Sequence, residues 1–224
     1  MAKRKRSFRK KKFRRKRRKM NVRTLVRREL NKNIETKQTL GAVGPSDVSS
    51  TNVVFNLNDI VNGTEDHERI GDQIRARMME IKYTIEGKNL ATNIVRLYHA
   101  RVIIVWMADP TQPIFVPPSV TTGLWDYTVN QNMYVMYDKV HTISPTVCVL
   151  GQTAVDYDSH GKHHPQIVKR HLKINLRNRK MKYDGPLGLP VKGRITMVVR
   201  GVAAPASTEN ATFQAQFRLY YKDA

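Results

Sequence analysis

The chain has 224 residues, 40% of them hydrophobic, a formal net charge of +22 and a single cysteine. That length is enough to bury a full core, and Cys148 alone can form neither an intramolecular disulfide nor a multi-cysteine metal site. The longest strictly apolar run, Val102 to Ala108, is far short of a membrane span, and no apolar segment follows the first charges, so neither membrane insertion nor a secretory signal is expected.

The charge is concentrated at the start. Lys3, Arg4, Lys5, Arg6, Arg9, Lys10, Lys11, Lys12, Arg14, Arg15, Lys16, Arg17, Arg18 and Lys19 are 14 of the chain's 40 Lys and Arg, and no acid stands among them. From Asn33 onward 22 bases face 17 acids, a balance of +5. Such a run repels itself and has too little apolar surface to pack, so it is expected to be disordered. Clustered cations gain free energy by releasing counterions from a phosphate backbone, without reading sequence. Anionic membrane surfaces compete for the same charges, but Phe8 and Phe13 make no apolar face, so nucleic acid is the better partner. Nuclear import is a second use of such a run. Met20 to Leu30 could form a short helical turn. Gly41, Gly44 and Pro45 read as linker, which sets an arm over residues 1–45 and a folded domain over 46–224.

Beyond the linker the period becomes two. Met79, Ile81, Tyr83 and Ile85 alternate with Glu80, Lys82, Thr84 and Glu86, the spacing of a strand with one buried face. Ile94 to Met107 ends in a run apolar at every position, which predicts a central strand covered on both sides. Thr111 to Asp126, rich in proline, reads as a long loop; Met133 to Ile143 resumes strand character, and Thr146 to Leu150 is a short candidate. Leu172, Ile174 and Leu176 alternate with Lys173, Asn175 and Arg177; after a loop over Asp184 to Pro190, Ile195, Met197 and Val199 alternate with Thr196, Val198 and Arg200. The last strand sets Phe213, Ala215, Phe217, Leu219 and Tyr221 on one face and Thr212, Gln214, Gln216, Arg218 and Lys222 on the other, a pattern that Tyr220 breaks. Seven or eight strands with long unequal loops predict an all-β sandwich, and a two-sheet jelly roll rather than a tight barrel.

A second basic patch runs from Lys169 to Lys182. Strict strand spacing would point Lys169, His171, Lys173, Arg177 and Arg179 the same way, a stripe suited to packaged nucleic acid or to acidic glycans. Asp156, Asp158, His160, His163 and His164 carry ligand chemistry, but in a polar Gly- and Pro-containing loop they read as solvated surface, and no metal or other cofactor is expected. G-x-S-x-G, H-E-x-x-H and P-loop motifs are absent and Cys148 sits in an apolar context, so the chain does not read as an enzyme. Trp106 and Trp125 could stack on bases, though core packing or subunit contact suits them better; the apolar segment Pro113 to Leu124 reads as a contact between subunits.

The opening Met1-Ala-Lys-Arg-Lys-Arg6 with its Arg/Lys run resembles the arm of capsid proteins from circular, Rep-encoding single-stranded DNA viruses, the circovirus-like group. Glu68-Arg-Ile-Gly-Asp-Gln-Ile74 leading into Met79 to Ile85 is similar to the first jelly-roll strand region of that family. Arg101-Val-Ile-Ile-Val-Trp106 and Phe217-Arg-Leu-Tyr-Tyr-Lys-Asp223 add to the likeness. The resemblance implies an eight-stranded jelly roll, self-assembly into a small T=1 icosahedral shell, packaging of viral single-stranded DNA, and recognition of the arm by nuclear import receptors, hence a protein of the virion and of the host nucleus. It carries over no residue for a host attachment receptor. The residues alone leave alternatives: the coat protein of a small RNA virus; a cellular nucleic-acid-binding protein of ribosomal or chromatin type; and a cationic secreted or glycan-binding β-sandwich, against which the missing signal peptide and disulfides count. The slight charge of the body and its lack of a reading motif count against the second.

Overall fold

A computed structural model describes Val26 and residues 35–87, 98–111, 131–143, 167–186, 188–201 and 211–224. The chain divides into two units, Met1–Glu35 and Thr36–Ala224, and the strands belong to the second. They are β1 (Lys37–Asp47), β2 (Val53–Asn56), β3 (Gln73–Glu86), β4 (Tyr98–Met107), β5 (Met133–Ile143), β6 (Ile167–Tyr183), β7 (Pro190–Lys192), β8 (Arg194–Gly201) and β9 (Thr212–Asp223).

Every strand pairing is antiparallel, in two sheets ordered β1-β9-β3-β6-β7 and β2-β8-β4-β5. With the three-residue β7 set aside, the eight strands change sheet at every step except from β4 to β5, and the last strand returns beside the first. This is the jelly-roll order, so the all-β jelly-roll expectation holds. The core lies between the sheets. Ile74, Met79, Ile81, Tyr83 and Ile85 of β3 enter it from one side, and Val102, Ile104, Ile195, Met197 and Val199 from the other. β4 is central, and its second face holds Ile103, Val105 and Met107 in a separate buried cluster with Met133 and Val198. The unbroken apolar run from Val102 to Met107 therefore has the cause expected of it: both faces are covered.

Three strands escape the sequence pattern. β1 occupies Lys37–Asp47, where Gly41, Gly44 and Pro45 predict the end of the arm and a linker. As an edge strand paired only with β9, it tolerates these residues. Pro45 falls where the register shifts between Val43 and Ser46, and the Phe217 ring lies where a side chain at Gly41 would go. β2 and β7, of four and three residues, are too short to show a period. The segment from Glu68 to Ile74 consequently leads into the third strand, not the first.

Two buried polar side chains tie the loops at one end of the sandwich. The Arg69 guanidinium donates to the carbonyls of Ile60, Gly71 and Gly185 and lies 4.5 Å over the Tyr183 ring. Asn58 donates through Nδ2 to the Gly193 carbonyl at 3.0 Å, and its Oδ1 accepts from the Ile195 amide at 2.9 Å. Full burial leaves these groups no water, so each such bond avoids a desolvation penalty.

Candidate nucleic-acid interface

The outward face of the five-stranded sheet follows from register. Partners directly opposite in an antiparallel ladder share a face, so the residues alternating with the buried positions of β3 collect neighbours from β6 and β9. Lys169, Thr84 and Gln214 form one row; His171, Lys82 and Gln216 the next; then Lys173, Glu80 and Arg218; then Asn175, Met78 and Tyr220; then Lys180, Arg75 and Lys222. Lys182 continues the face beside Gln73, with Lys192 opposite it on β7. Glu80 is the one carboxylate in these rows; Glu86 and Asp47 stand at the end of the sheet beyond them.

The electrostatics agree with this placement. Lys173 approaches Glu80 at 3.2 Å, and its hydrogen bond, aided by the charges of Lys173, His171 and Arg218, holds the Glu80 carboxyl below the usual range. Low-relief hollows run along the face. One of about 690 Å³ is lined by Ala42, Lys82, Thr84, Lys169, His171 and Gln216, and one of about 520 Å³ by Leu40, Glu80, Lys82 and Arg218 among others. Small residues at Ala42 and Gly44 open the floor between the long cationic side chains.

A bulge redistributes the predicted stripe. Met78 pairs with Asn175 and Ala76 with Arg179, so Leu176, Arg177 and Asn178 of β6 stand opposite Arg77 alone. Lys169 and Lys173 lie on the outward face, opposite Thr84 and Glu80. Arg177 is exposed at the bulge itself, with a φ of 51°. Arg179 departs from the stripe: the extra residues turn it to the core side opposite buried Ala76, where it lies 5.2 Å over Trp106 and 4.7 Å over Tyr134. Lys180 and Lys182 take its place on the outer face. The sequence pattern also misses Lys82, Arg75 and Arg218 as members of this surface. Their alternation is legible, but which strands become neighbours is not.

Among the described residues no group of three or more His, Cys, Asp or Glu could hold a metal ion, and no helix is long and apolar enough to cross a membrane. The arm cations Lys3 to Lys19, the Asp156 to His164 cluster, Cys148, Trp125 and the Pro113 to Leu124 segment lie outside the described residues.

No family model matches this sequence, and no curated protein does. Among solved structures the chain is similar to one titled "Crystal structure of 60-mer BFDV Capsid Protein", at 8% identity and a TM-score of 0.35, over 85% of this chain and 93% of that one.

Proposed function

We propose that this chain is the coat protein of a small virus: a jelly roll that self-associates into a closed icosahedral shell, T=1 in size, and retains single-stranded DNA through cationic surfaces. The observation that carries the reading is the outward face of the five-stranded sheet, basic over successive rows, on a chain that also concentrates 14 of its 40 Lys and Arg in the first 19 residues. A cationic face that extends over several strands and a run of arm cations suit a polyanion of no fixed geometry. The role is structural, without a catalytic step. Lys3 to Lys19 hold nucleic acid and serve import receptors of the host nucleus; Lys169, Lys173 and Arg177 belong to the surface turned toward the cargo. The choice of DNA rests on the resemblance of the arm and strand motifs. Self-association has apolar surface to use: Val61, Ile70, Leu189 and Val191 stay 43–58% exposed on adjoining segments at one end of the sandwich.

Negative-stain electron microscopy of purified full-length protein after nuclease treatment, with the absorbance ratio at 260 and 280 nm read on the same fraction, tests this. Uniform closed particles with protected nucleic acid are expected. A small monodisperse species, stripped of nucleic acid by nuclease across a range of salt and pH, would overturn it.

A further inference from the structure

Near the middle of the basic face two irregularities coincide. On the β6 side the extra residues are on β6, where Leu176, Arg177 and Asn178 stand opposite Arg77; on the β9 side Arg77 is itself the extra residue, because Ala76 pairs with Tyr221 and Met78 with Tyr220. Both bulges lie at one height of the sheet, and between them is a hollow of about 560 Å³ lined by Thr36, Arg77, Met78, Asn175, Arg177, Asn178 and Tyr220. Bulges re-aim side chains that a regular ladder would hold in rows.

The lining combines three chemistries. Arg77 and Arg177 supply charge, and among the described residues neither makes an ion pair. Tyr220 supplies an aromatic ring oriented by Arg218, whose Nη1 donates to the Tyr220 hydroxyl at 3.3 Å with its guanidinium 6.0 Å from the ring centre. Asn175 and Asn178 supply amide groups. The backbone is held in an uncommon form to achieve this: Arg177 and Asn178 have φ of 51° and 57°, a region that side chains other than glycine seldom adopt, and the Asn175 side chain accepts the Arg177 amide proton at 2.9 Å. Arg77 is steadied by a 3.0 Å bond from its Nη1 to the Thr36 hydroxyl. Two cations without carboxylate partners beside an aromatic ring are the elements that take a phosphate and a stacked base together.

We infer that this double-bulge hollow is a nucleotide site, which receives one base of a single strand against Tyr220 and its phosphate on Arg77 and Arg177, and so anchors the strand that the surrounding lysines hold without position. The inference rests on the proposed nucleic-acid role of the same sheet face.

Oligo(dT) carrying 5-iododeoxyuridine, bound to the full-length protein and irradiated, tests it by mapping the crosslinked peptides; affinity is measured in parallel on the Lys82→Gln/Lys169→Gln/Lys173→Gln variant. A crosslink at Tyr220 is expected, its yield falling at least about fivefold in Arg77→Gln/Arg177→Gln. The triple lysine variant should make the salt dependence of binding shallower by about 2, the slope of three phosphate contacts. Strand bound without a Tyr220 crosslink, while the lysine variant loses salt slope, would overturn the nucleotide site and leave the basic face standing. Crosslinks confined to residues 1–32 with no effect of the lysine variant would overturn both.

Discussion

At the scale of single residues, the sandwich holds polar groups that are tolerable only because each has a partner. His141 is one. It is 4% exposed, its Nε2 lies 2.8 Å from the Tyr83 hydroxyl, and that hydroxyl lies 2.8 Å from Tyr137, so β3 and β5 of opposite sheets are joined through the core. Burial, then the charges of Arg170 and Lys139, push the imidazole down to about 4. A folded-state value below that of the unfolded chain means that between the two the unfolded chain binds the extra proton, so stability rises with pH across that window. Unfolding free energy is therefore expected to climb from about pH 4 to about pH 6.5, by at most about 3 kcal/mol from this group. Chemical denaturation of wild type and His141→Gln over that range checks it; an equal slope in both would show that another group governs. Neither the burial of His141 nor its Tyr83 partner can be read from Lys139-Val-His-Thr-Ile143, because both come from the opposing sheet.

At the scale of elements, turns and edges decide what pattern leaves open. Gly193 joins β7 to β8 with a φ of 81°, and a Cβ there would stand 2.6 Å from the Trp106 ring. Trp106 in turn carries Arg179, so the turn, the indole and the bulged strand β6 form one packed unit. Gly193→Ala is expected to cost about 2 kcal/mol or more, from the left-handed backbone together with the displaced ring. A lower denaturant midpoint with an unchanged slope is the expected result; a midpoint equal to wild type would mean that the turn relaxes freely. Strands β3 and β9 were legible because one-sided burial imposes a period of two, whereas β8 is buried on both faces from Ile195 to Val199. β1 was not legible, because an edge strand under the Phe217 ring requires the glycine that elsewhere marks a linker. Along β6 the period was legible only as far as the bulge, where Arg177 and Asn178, both in the left-handed region, break the alternation and Arg179 takes the core side.

At the scale of the whole molecule, cations are most concentrated in the first 19 residues, and the described strands lie beyond them. The first described strand begins at Lys37, so removal of Met1 to Lys32 takes away 18 of the 40 Lys and Arg and none of the described strands. The truncated protein is expected to keep the β-type circular dichroism of the full chain. Its binding to single-stranded DNA should lose at least about 3 from the salt slope, as four or five phosphate contacts at about 0.7 each would give. An unfolded truncation would mean that the arm contributes to the sandwich, and an unchanged slope would place the binding on the sheet alone.

What the sequence by itself determined is whatever depends on composition and on the local period: an all-β domain, its central strand and a cationic segment set apart at one end of the chain. Hydrophobic alternation records which face of a strand is buried, and a run of like charge records its own inability to pack. Only the tertiary structure decided which strands lie side by side, and with that the basic face itself. Lys82, Lys173 and Arg218 are far apart in sequence and become neighbours through the β6-β3-β9 register. That register is set by long-range pairing and by two bulges, and no local pattern encodes either.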